Sequence, residues 1–108
     1  DSKISAIYMR LFASNPDHPG DNLQYGTFLT NSGRSKQALP FLEKAVAGGL
    51  SDANRILGMA WLILGDKEQA LSKLETYLKN QPDDNATRIL INCVRNGKIE
   101  YTDMPQSK

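Results

Sequence analysis

Residues 25–45 read YGTFLTNSGRSKQALPFLEKA, and residues 57–77 read LGMAWLILGDKEQALSKLETY. Laid one over the other, Tyr25-Gly26, Gly33, Ala38, Leu42 and Ala45 fall on Leu57-Gly58, Gly65, Ala70, Leu74 and Tyr77, each position 32 residues on. A period of that length marks a repeat architecture, in which each unit buries against its neighbour the face it cannot bury alone. The recurring residues are small or apolar. They are packing residues rather than reactive ones, which argues for a helical stack and against catalysis.

Helical periodicity extends outward from this pair. Ile4, Ile7, Tyr8, Leu11 and Phe12 recur at three- and four-residue spacing, one apolar stripe of a helix over residues 3–14. The turn Asn15-Pro16-Asp17-His18-Pro19-Gly20-Asp21 ends it, with Asp21 as the expected N-cap of a second helix reaching Asn31. A third helix is expected from about Arg34 to Ala47, closed by Gly48-Gly49, since glycine accepts the left-handed conformation. Pro40 predicts a small kink there or a later helix start. A fourth helix follows over residues 52–64 and a fifth over 67–80, stopped by Gln81-Pro82. Asp83 or Asp84 caps a sixth, ending at Asn96-Gly97. Connections this short make successive helices antiparallel hairpins.

Bulk properties narrow the functional classes. The 108 residues make one domain, with 40% apolar and 23% charged residues and a net charge of +1. That balance gives no global field for nucleic acid or an anionic membrane. Arg88, Arg95 and Lys98 are the only candidate basic patch, and they read as solvated helix surface. The apolar run Ile56–Leu64 is far below the ~20 residues of a membrane span. One cysteine excludes an internal disulfide and leaves the compartment open, cytoplasmic or periplasmic. The sequon Asn85-Ala86-Thr87 falls where a helix should begin and reads as a chance match.

These residues resemble the tetratricopeptide repeat family. In residues 51–84, Leu57, Gly58, Trp61, Gly65, Ala70, Leu74 and Pro82 match its signature, with Tyr77 and Asn54 as departures. In residues 19–50, Tyr25-Gly26, Gly33, Ala38, Leu42 and Ala45 match, but Leu29 replaces the aromatic and the unit is two residues shorter. Residues 4–16 resemble the second helix of an earlier unit, with Tyr8, Leu11 and Pro16 in register. The resemblance implies an all-α, right-handed α-solenoid of antiparallel hairpins with about six helices. Its expected parts are an N-terminal remnant (1–3), a half-repeat (4–16), two repeats (19–50 and 51–84), a capping helix (85–96) and a flexible tail (97–108).

The sixth helix is expected to end the stack. By the turn of about 100° per residue, its partner-facing side carries Arg88, Ile91, Asn92 and Arg95, three of them polar. Ile89, Leu90, Cys93 and Val94 are expected to dock on the preceding unit. The C-terminal side therefore looks like a natural cap. Residues 1–3 look like a cut within a longer protein, leaving an apolar stripe that seeks a partner and could serve homo-oligomerisation.

No catalytic constellation accompanies the repeat. His18 lies in a proline-flanked turn without ligands at metal spacing, and Cys93 lacks a histidine partner. We therefore expect no enzyme activity, no cofactor and no metal site. The resemblance puts the first helix of each unit on a concave binding face. That face would carry Leu23, Thr27, Thr30 and Asn31, then Arg55, Met59, Leu62 and Ile63, then Ile89, with Cys93 at its edge. Some family members clamp the terminal carboxylate of chaperone tails with lysine, asparagine and arginine. Leu23, Thr27, Ile56, Ala86 and Leu90 occupy the corresponding faces here and do not suit that task.

The expected function is a non-catalytic scaffold or adaptor that binds a partner peptide or helix in an apolar groove, without binding nucleic acid or inserting in a membrane. The alternative is a structural module for self-association or assembly, its groove filled by its own chain or a second copy. A third possibility has an enzyme upstream that this segment only positions.

Overall fold

The computed structural model describes residues 2–97, with the side chains from Lys3 onward. Six helices account for nearly all of it: α1 (Ser2–Ser14), α2 (Pro19–Asn31), α3 (Ser35–Ala47), α4 (Ala53–Ile63), α5 (Lys67–Asn80) and α6 (Asn85–Arg95). No strand occurs among the described residues. The expected tail after Asn96 lies almost wholly outside them.

The repeated sequence folds into repeated geometry. Asp66 and Arg34 each donate a backbone hydrogen bond five residues back, to Trp61 (3.0 Å) and Leu29 (2.8 Å). Between donor and acceptor sit Gly65 and Gly33, at φ 87° and 79°, so the same glycine-closed turn joins α4 to α5 and α2 to α3. The hairpins α2–α3 and α4–α5 are the most extensive pairings, and α3–α4, α5–α6 and α1–α2 join neighbours along the chain. The resulting body measures 43 × 27 × 20 Å. Consecutive elements thus pack in order, as a helical repeat requires.

A second pair of glycines fixes how closely the hairpins approach. A Cβ on Gly26 would stand 2.6 Å from Leu42 Cδ2, and one on Gly58 would stand 2.7 Å from Leu74 Cγ and 3.2 Å from the Ala70 carbonyl oxygen. Neither leucine has room to retreat, because Leu42 and Leu74 are both fully buried. The two halves therefore use one solution at one register: glycine on the first helix, leucine on the second.

Around these crossings the core divides. Tyr25, Leu29, Ala38, Leu42, Leu57 and Ala60 form the larger cluster, flanked by Tyr8, Phe12, Phe28, Phe41 and Trp61. Its rings interlock, with Tyr25 at 4.9 Å from Tyr8 and edge-on to Phe41 at 4.8 Å. The smaller cluster joins Leu62, Ala70 and Val94, with Met59, Trp61, Leu71 and Leu90 against it. Trp61 borders both.

Several local expectations need correction. α2 begins at Pro19 rather than after Asp21, because proline is pre-organised for the first helical position. Its cap is His18, whose Nδ1 accepts from the Asp21 N–H at 3.1 Å. α3 runs unbroken through Pro40 and does not start late. Pro40 is exposed, so the Lys36 carbonyl that loses its helical donor sits on the wet side of the helix. α6 buries Thr87, Ile91 and Val94, whereas Ile89 is 61% exposed. Ile91 and Ile89 stand about 200° apart on the helix, so one contact face can take only one of them.

Candidate functional site

The first helices of the successive units carry the candidate binding row. Aligned by the repeat, Leu23, Arg55 and Ile89 share one position, and Thr27, Met59 and Cys93 share the next turn. Arg55 and Ile89 are exposed, while Leu23, Thr27, Met59, Ile63 and Cys93 are half-buried. Asn31 is exposed at the end of α2. Leu23 leans on the larger core cluster and Met59 on the smaller one, so each is held in place by packing. The Thr27 hydroxyl donates to the Leu23 carbonyl at 2.8 Å, which leaves its methyl group outward of that bond.

Two of the nine expected groove residues are not on the surface. Leu62 is 2% exposed, packed with Ala70 and Val94, because α6 docks over that side of α4. Thr30 is 8% exposed and its hydroxyl donates to the Gly26 carbonyl at 2.9 Å. Both are core residues of the chain, and neither can line an open face. The remaining seven are Leu23, Thr27, Asn31, Arg55, Met59, Ile63 and Ile89.

The electrostatics of the row centre on the α5–α6 turn. The Tyr77 hydroxyl donates to Asp84 Oδ2 at 2.7 Å, and Asp84 Oδ1 accepts from the Thr87 N–H at 3.0 Å. These bonds, with the Tyr77 hydroxyl first, hold the Asp84 carboxyl below the ordinary aspartate range, and the Arg55 charge adds to the effect. The same bond, together with burial, raises the Tyr77 hydroxyl above its usual value. Arg55 therefore lies near an existing carboxylate while its own side chain remains exposed.

Beyond the row, the structure reveals a feature with no counterpart in the sequence reading of the repeat. Asn22 and Asn54, 32 residues apart, are both buried. The Asn22 amide donates to the Pro16 and His18 carbonyls at 3.0 and 2.9 Å, and Asn54 donates to the Ser51 carbonyl at 3.1 Å. Each fastens the turn before its own helix. Their equal spacing was the available signal.

His18 is engaged as a cap, and Cys93 is half-buried on α6. No group of three His, Cys, Asp or Glu side chains among the described residues could hold a metal ion. No helix among them is long and apolar enough to cross a membrane. No protein-family model, curated protein or solved structure matches this chain.

Proposed function

We propose that this chain is a tetratricopeptide-type scaffold that binds a partner peptide or helix along the first-helix row. The carrying observation is that row itself: Leu23, Thr27, Arg55, Met59, Ile63 and Ile89 recur on successive first helices without being closed off in the core. Apolar side chains at repeat spacing suit the anchors of an extended or helical ligand, and Met59 supplies an adaptable contact. Arg55 offers one charge-assisted bond to an acidic group on the ligand. The close match of the two units in glycine turns and glycine–leucine crossings supports the family reading.

The test is capture by the immobilised protein, comparing Met59→Glu with the outer-surface control Arg88→Glu. A partner held through the row should be retained by the wild type and by the control. It should weaken by about 2 kcal/mol with Met59→Glu, the scale of an interface hot spot. Equal retention by Met59→Glu would place the binding surface elsewhere.

A further inference from the structure

The two sides of α1 differ in chemistry. Toward α2 it presents Tyr8 and Phe12, whose rings stand 4.9 and 5.9 Å from the ring of Tyr25. At about 100° per residue, Ile4, Ile7 and Leu11 form a stripe turned away from Phe12. Ile7 and Leu11 are 54% and 42% exposed, and Ile4 is half-buried. The repeat explains what this stripe is. A shift of 66 residues lays Ile4 and Leu11 on Ala70 and Tyr77, which α5 buries, Ala70 at its crossing with α4. The stripe is thus a pairing face with no helix of this chain across it among the described residues.

Its border is cationic. Arg10 lies beside Ile7 on the helix surface, exposed and without an ion pair among the described residues, and Lys3 lies one position round from it. No Asp or Glu occurs between residues 2 and 16. We propose that this face docks an amphipathic helix of a partner polypeptide whose apolar stripe is edged by Asp or Glu. The helix would lie on α1 as α2 lies on α3 and α4 on α5. Charge decides among occupants. A second copy pairing through its own α1 would set Arg10 and Lys3 against the same cations, and one pairing through α6 would bring Arg88, Asn92 and Arg95, which are polar and basic. Two cations on a short stripe also give an anionic lipid surface little hold, since stable attachment takes larger basic clusters. This surface is separate from the first-helix row, so it stands or falls independently of the scaffold reading.

The test uses two synthetic helical peptides with the same leucine stripe, one edged by glutamate and one by lysine, titrated by fluorescence anisotropy. The glutamate peptide should bind, and the lysine peptide should bind about tenfold more weakly or worse. Added salt should weaken the glutamate peptide. Ile7→Glu should abolish binding without altering the circular dichroism, because Ile7 is exposed. Arg10→Glu should reverse the preference, whereas Arg88→Glu, with the same charge change at the far end, should leave it intact. Equal binding of both peptides, or equal loss with Arg10→Glu and Arg88→Glu, would overturn the proposal. So would a concentration-dependent dimer that Ile7→Glu dissolves, or attachment to phosphatidylserine vesicles that Ile7→Glu removes.

Discussion

α1 and α6 stand at opposite ends of the stack, and each turns a pairing face away from its neighbours. On α6 that face is polar. Asn92 occupies the register of Gly26 and Gly58, and Arg88 and Arg95 flank it, all exposed. Arg95 pairs with Glu75, and Arg88 donates to Asn85 Oδ1 at 3.0 Å and to the Pro82 carbonyl. On α1 the equivalent face is Ile4, Ile7 and Leu11. The same fold position therefore carries two opposite chemistries. Repeat position dictates which way a side chain points, and only residue type decides whether that face ends the stack or invites another helix.

The sharpest way to break this comparison is to exchange residues between equivalent positions. Gly58→Leu drives a side chain into Leu74 and should destabilise by about 1–3 kcal/mol or more. For a domain of this size that lowers the melting temperature by roughly 4–8 °C for each kcal/mol. Asn92→Leu, in the same register on α6, meets no following helix and should melt within a degree or two of the wild type by the usual scale of surface substitutions. Combined with Arg95→Leu, it should promote association at the α6 end, detectable by light scattering, because the polar face has become apolar. Equal destabilisation by Gly58→Leu and Asn92→Leu would mean that α6 has a covered outer face.

A smaller effect concerns what anchors the α6 end. The Asp84 carboxyl is held low by Tyr77 and Thr87, so its contribution is present above the unfolded aspartate pKa. That contribution fades as pH falls through the lowered folded value. Acid titration of helicity should therefore show a loss at low pH that Asp84→Asn does not share. Identical acid profiles would remove this carboxylate from the account.

The helix order and the tight crossings were legible because glycine and leucine at Gly26/Leu42 and Gly58/Leu74 leave few other arrangements. Most helix ends were legible for a similar reason, since Gly33, Gly65 and Asp84 each do one local job. The candidate row was legible less fully. Leu62 and Thr30 were read onto an open face by rotation about a single helix axis. Burial depends on what crosses from elsewhere, and Val94 covers Leu62 only because α6 presents Ile91 and Val94 inward. His18 as a cap could not be read because histidine caps far less often than the aspartate three residues later.

The scaffold reading turns on Met59 being a surface residue of the same helix in which Leu62 is core. The direct measurement is a pair of thermal melts, Met59→Glu and Leu62→Glu. Leu62→Glu buries an unpaired carboxylate beside Ala70 and Val94 and should unfold the chain or cost several kcal/mol. Met59→Glu should melt close to the wild type, since its new carboxylate can reach water. If Met59→Glu melts as low as Leu62→Glu, the row is closed core and the binding face is lost.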